Sequence, residues 1–147
     1  HSLDWHLLEQ PEHRALLDLN RDLNHLYLEN PVLHAGDTDP AGFAWIDLHN
    51  GDQSVFAFLR RSPLHPDRPP LLCVFNCTPV PREDYWLGVP ATGTYRKVLD
   101  TDAARYGGSG FNQQERVVTQ LAPCQGYPCH IRLDLPPLGA LFFELAD

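Results

Sequence analysis

The 147-residue chain contains no methionine, and its 11 lysines and arginines are outnumbered by 19 aspartates and glutamates. A newly made chain starts with Met, so a sequence opening on His1 is expected to be processed or a piece of something longer, and we expect a piece. The formal net charge of −8 argues against nucleic acid and anionic lipid as partners, because phosphate recognition needs the basic residues that are scarce here. No apolar run approaches the 18 or so residues of a membrane span, and no signal-peptide pattern opens the chain. No membrane partner is expected. A neutral ligand or a protein surface suits this charge better.

What is present points to a folded body. Hydrophobic residues make up 43% of the chain and three are Trp, which argues against disorder. The length suits one domain, or one domain with a piece of a second. The four cysteines leave alternatives open. Cys73 and Cys77 on a strand would stand roughly 13 Å apart, too far for a disulfide. Cys124 and Cys129 could meet across a loop. The spacings C-x3-C and C-x4-C lack the tight C-x2-C knuckle of a zinc site, and free thiols of a cytosolic protein are the default. No cofactor and no metal are expected.

The segment Leu71 to Asn76, LLCVFN, is apolar on both sides of a strand. Leu72 and Val74 would face one way, and Leu71, Cys73 and Phe75 the other. Such a strand must be covered on both faces, so it should be central in its sheet. Pro79 and Pro81 then forbid continuation. Upstream, Pro11 suits a first helical turn, with Glu12 at its positive end. Leu16, Leu19, Leu23, Leu26 and Tyr27 recur at helical spacing, and Leu17 and Leu28 form a second stripe. Pro31 should end the helix near Asn30. A helix apolar on two sides wants more cover than one sheet gives. Further strands are expected at Phe43 to Leu48, Ser54 to Leu59, Tyr85 to Val89, Gly93 to Leu99, Arg116 to Leu121, Ile131 to Leu135 and Leu141 to Leu145. Asn50-Gly51 is a hairpin signal between the first two. One helix followed by about eight strands means an antiparallel β-sandwich.

Residues for chemistry are few. Gly107-Gly108-Ser109-Gly110 imitates a phosphate cradle but lacks the Gly-Lys-Ser/Thr ending and opens no helix, so a structural loop is expected. Asp100 and Asp102 invite a glycosidase pair, but aspartates before Gly-rich turns usually bond to backbone. Ser109 has no nucleophile-elbow sequence around it. Aromatics are the better lead: Trp45, Trp86, Tyr95 and Tyr106 lie in or beside loops and short strands, where flat rings suit the apolar faces of sugars. For Trp45, between Phe43 and Ile46, a core position is favoured. For Trp86 the two readings balance.

The ordered set DLNHLY (Asp22 to Tyr27), GFAWIDLHN (Gly42 to Asn50), SVFAFLR (Ser54 to Arg60), VFNCTPVPRE (Val74 to Glu83), LGVP (Leu87 to Pro90), GTYRKVLDTD (Gly93 to Asp102), RYGGSG (Arg105 to Gly110) and LPPLGAL (Leu135 to Leu141) closely resembles the C-terminal end of bacterial glycogen branching enzymes, 1,4-α-glucan branching enzymes of the α-amylase clan. The resemblance implies that residues 1–35 are the last helical segment of a (β/α)8 catalytic barrel and 36–147 an all-β sandwich domain. It implies a cytoplasmic parent that moves α-1,4-glucan segments to make α-1,6 branches, with its catalytic carboxylates upstream of this chain. The partners implied are α-glucan (glycogen or maltooligosaccharide) and the missing barrel. Without the barrel, self-association through the exposed helix is expected. Trp45 and Trp86 are the expected glucan contacts, an autonomous α-glucan-binding module or a purely structural β-sandwich domain being the alternatives, and no catalytic residue is expected here. The chain departs from the family pattern at Cys77, Trp86, Asp100, Phe111 to Gln114, and in the Cys124 to Cys129 loop.

Overall fold

A computed structural model describes residues 4–146, so His1, Ser2, Leu3 and Asp147 lie outside the described residues. A 3-10 turn at Trp5–Glu9 leads into α1, Pro11–Glu29. Pro11 stands in the first turn with Glu12 beside it, and the Asn30 N–H closes the last turn on the Leu26 carbonyl. Asn30 then accepts from the Val32 N–H and so caps a 3-10 turn, Pro31–Leu33. The helix starts and stops where its prolines require.

Eight strands follow: β1 Phe43–Asp47, β2 Val55–Arg60, β3 Leu71–Asn76, β4 Arg82–Val89, β5 Thr94–Asp100, β6 Arg116–Val118, β7 Cys129–Leu135 and β8 Gly139–Leu145. Six form a sheet in the order β1-β2-β3-β8-β5-β6, and β4 and β7 pair as a second sheet. Every pairing is antiparallel. This is the expected sandwich, with β3 inside the larger sheet as its two apolar faces require.

The main core lies between the sheets. Leu72 and Val74 of β3 with Leu141 and Phe143 of β8 meet Leu87 of β4 and Ile131, Leu133 and Leu135 of β7. The other face of β3 carries a smaller cluster in which Val32 is fully buried against Leu71 and Cys73, with Leu33, Phe58, Phe75, Val98 and Phe142 packed around it. Full burial of a side chain such as Val32 contributes about 1.5–3 kcal/mol, so the turn after α1 pins the helix to the sheet. The helix itself has no buried residue. Its second anchor is Asp22, which accepts from the Tyr106 hydroxyl and pairs with Arg105.

Several sequence expectations are corrected. The hairpin signalled by Asn50-Gly51 is present, with β1 and β2 antiparallel, but its loop is seven residues, 48–54, rather than the five that the expected strand ends leave, and Ser54 takes φ +51°. A bulge between Trp45 and Asp47 shifts the register at the end of β1. β4 begins at Arg82, directly after Pro81, rather than at Tyr85. β6 is shorter than expected and stops at Val118. All four cysteines are free thiols, in line with the default expectation.

Candidate functional site

The outer face of the two-stranded sheet carries a built aromatic platform. Tyr85 and Leu87 of β4 point into the main core, so alternation turns Trp86 outward, where it is 47% exposed. Its ring lies flat on that of His130, with centroids 4.4 Å apart and planes 10° apart. Arg132, the cross-strand partner of Trp86, sets its guanidinium 5.8 Å from the indole centroid. A carboxylate holds that guanidinium in turn: Asp84 accepts from both Nε and Nη2 of Arg132. The bond to Arg132 is the first reason the Asp84 carboxyl titrates below its ordinary value. Asp84 adopts φ +56° at the register shift of β4 against β7, and its N–H donates to Asp134 at 2.9 Å. The bulge is what aims the carboxylate at Arg132.

His130 lies beneath the platform, 1% exposed. Its Nδ1 is 2.9 Å from the Ala122 carbonyl, while Nε2 is buried with no hydrogen-bond partner among the described residues. The loop 119–127 covers this edge. Gln125 fixes it, donating to Asp47 at 2.9 Å and to the Trp86 carbonyl at 3.3 Å, and accepting from the Gly88 N–H at 2.8 Å. Asp47 also accepts from the Tyr85 hydroxyl at 2.6 Å. An exposed indole over a rigid base, flanked by a fixed guanidinium and carboxylate, can stack an apolar sugar face and bond its hydroxyls.

Trp45 stands elsewhere. It lies on the outer face of the six-stranded sheet, across the sandwich from Trp86, and is 46% exposed rather than core. The reason is position: β1 is the edge strand, and no second layer covers that end of the sheet. Trp45 meets Phe43 and Phe58 edge-on at 4.9 and 5.9 Å, and Phe56 stacks on Phe75 at 4.7 Å. With Leu48, Phe56 and Cys77 it lines an open hollow of about 360 Å³. The two tryptophans therefore belong to different surfaces. Tyr95 and Tyr106 belong to neither, since both are buried, with hydroxyls engaged by Ala91 and Asp22. His130 and Arg132 completed the platform unseen in the sequence; their outward alternation on β7 was the available signal.

The remaining candidates are structural. Asp102 occupies its own glycine loop: its carboxylate accepts from the Ser109 N–H at 2.9 Å and from the Ser109 hydroxyl, and its carbonyl from the Gly110 N–H at 2.8 Å. A residue of the chain thus fills the cradle. Asp100 accepts from the Asp102 N–H at 2.8 Å, so both carboxylates serve backbone. Among the described residues no three His, Cys, Asp or Glu are placed to hold a metal ion. No helix among them is long and apolar enough to cross a membrane.

Two antiparallel sheets with this order behind a single leading helix place the chain in the class of all-β sandwich domains. The chain belongs to the family described as alpha amylase, C-terminal all-beta domain, whose model matches residues 45–146. Among its relatives are proteins named 1,4-alpha-glucan branching enzyme GlgB. That of Cereibacter sphaeroides is 45% identical over 141 residues, covering 96% of this chain and 19% of the relative. That of Rubrobacter xylanophilus is 48% identical over 142 residues, covering 97% and 19%, and that of Roseobacter denitrificans 47% over 146, covering 99% and 20%. The chain thus spans about a fifth of the length of these relatives. Among solved structures, an alpha-amylase from H. orenii matches with a TM-score of 0.50 and 19% identity, over 88% of this chain and 20% of that one, a likeness of fold.

Proposed function

We propose that this chain is the C-terminal part of a 1,4-α-glucan branching enzyme, working as a brace for the catalytic barrel and as a glucan-contacting surface. The division follows the expectation from sequence: residues 1–35 as the barrel's closing helical segment and 36–147 as the all-β domain. The likeness to branching enzymes runs through α1 as well as the strands, which supports reading the two parts as one continuous piece of such an enzyme. The uncovered aromatic face around Trp45 and Phe56, on the same side of the sandwich as the Val32 cluster, is the surface we assign to the barrel. Trp45 is assigned a second glucan contact, at the margin of that face.

The glucan assignment is carried by one observation, the Trp86 ring held flat on buried His130 beside the Arg132–Asp84 pair. The test is a titration of the chain with maltoheptaose, followed by tryptophan fluorescence and checked by calorimetry. Saturable binding that is lost in Trp86→Ala supports the reading. Binding lost in Trp45→Ala alone moves the site to the outer face of the large sheet. No heat at millimolar sugar leaves a purely structural brace. The chain alone is expected to be inactive in an iodine-stain branching assay, because no nucleophile and acid/base pair is assigned to it.

A further inference from the structure

Basic residues are few in this acidic chain, yet three arginines converge on one hollow. Arg96 of β5 and Arg116 of β6 are direct cross-strand partners. Arg68, from the loop before β3, lines the same cavity of about 420 Å³, together with Asn30 at the end of α1 and Glu144 of β8. Glu144 stands opposite Arg96 and pairs with it. Among the described residues no ion pair reaches Arg68 or Arg116.

Like charges directly opposite in an antiparallel pair destabilise it, and here that pair closes the edge of the sheet. Among the described residues lining the cavity, one carboxylate against three guanidiniums leaves a surplus of two positive charges. The C-terminal end of α1, closed by Asn30, offsets about half a charge of that. A helix end and one glutamate therefore do not account for the arginines. Guanidinium forks bind phosphate bidentately and are weakly hydrated, and the volume falls within the range of small-ligand sites, about 300–1,000 Å³. It is roomier than a bare anion requires. Pro69 and Leu145 give the wall an apolar part.

We propose that this cavity binds a small dianionic phosphate ester, with its phosphate between Arg96, Arg116 and Arg68 and its organic part against Pro69 and Leu145. The site is separate from the Trp86 platform and does not depend on glucan binding there.

The probe is glucose 6-phosphate, titrated into the chain by calorimetry at constant ionic strength, with glucose and inorganic phosphate run alongside. Saturable binding of the ester is expected, with glucose inert and inorganic phosphate weaker. Arg68→Gln and Arg116→Gln should each weaken it by about tenfold or more, the loss of one charge-assisted bond. Arg61→Gln, a change to an exposed arginine outside the cavity, should leave it unaltered. Arg116→Gln also removes the cross-strand repulsion, so its ligand-free Tm should hold or rise, which separates lost binding from lost folding. Binding of inorganic phosphate as tightly as the ester would overturn the assignment in favour of a simple anion hole. Equal binding of glucose, equal weakening by Arg61→Gln, or no heat at about 10 mM ester would overturn it too.

Discussion

Gly88 shows how one backbone position organises the candidate site. A Cβ there would lie 2.3 Å from the Cys124 carbonyl oxygen, a backbone atom with little room to yield. The loop 119–127 lies that close because the Gly88 N–H donates to Gln125, and Gln125 in turn holds Asp47 and the Trp86 carbonyl. Gly88→Ala should therefore cost about 1–3 kcal/mol, as overpacking does, and displace the loop from the platform. Urea unfolding gives the first effect, and a shift in Trp86 emission in the native state the second. Asp100 offers a change of opposite sign. Burial, opposed by the Asp102 N–H and Lys97, raises its carboxyl above the ordinary value. A carboxyl raised in the folded state contributes stability when protonated, and loses it as pH rises through its folded value. At pH 7 the ionised side chain is a burden. Asp100→Asn keeps an acceptor for the Asp102 N–H, and Lys97 retains Glu115 at 3.0 Å. The variant should melt higher than the parent at pH 7, by about 2–4 °C for each 1 kcal/mol gained in a chain of this size. The advantage should shrink toward pH 4. A lower Tm at pH 7 would show that the Lys97 pair outweighs the burial.

At the scale of elements, the attachment of α1 depends on two contacts, one at Asp22 in its second half and one at Val32 just after its end. Val32→Ala removes the buried plug after the helix and should cost about 2 kcal/mol. Tyr106→Phe removes only the hydroxyl bond to Asp22 and should cost about 0.5–1.5 kcal/mol. Hydrogen exchange distinguishes local from global loss: in Tyr106→Phe the amides of α1 should exchange faster while those of β3 and β8 hold. The phenol of Tyr106 is pushed up to about 12, first by burial and then by its bond to Asp22. Its share of stability is thus complete below pH 10 and disappears as pH approaches 12, and the Phe variant should lack that part of the alkaline loss. Elements with regular periods were legible in the sequence. The two apolar faces of LLCVFN placed β3 inside its sheet, and Pro11 and Pro31 bounded α1. Less legible was anything set by a bulge or by sheet edges. Asn50-Gly51 marked the β1–β2 hairpin but not the bulge between Trp45 and Asp47, and the edge position of β1 left Trp45 exposed where its apolar neighbours suggested core. The platform was half legible. Trp86 stood out as a residue type, but its partners His130 and Arg132 come from β7, more than 40 positions away, and pairing at that range has no local signature.

The whole molecule has one well-covered side and one open one. Between the sheets the core is closed, whereas the outer face of the large sheet carries the turn after α1 and a cluster of phenylalanines, with α1 itself tied in through Tyr106 and Arg105. On the helix, Leu19, Leu23 and Leu26 are partly covered, but Leu16 is 58% and Leu28 71% exposed, with Tyr27 also open. Trp5 and Trp45 add further exposed apolar surface. Exposed large apolar side chains in this number suit a surface that packs on something, and the occupant we assign is the catalytic barrel of a branching enzyme. With no barrel supplied, other copies of the chain are the available cover. Sedimentation velocity should show the average mass rising with concentration over the micromolar range. Leu16→Lys combined with Leu28→Lys should restore the monomer without lowering Tm, since neither side chain is buried. Adding the remaining four-fifths of a branching enzyme as a separate polypeptide should also dissolve the oligomers, by competing for the same face. A parent chain that stays monomeric at every concentration would mean that the open face is tolerated in water, and that its role as a seat for the barrel has to be argued from contacts other than the helix.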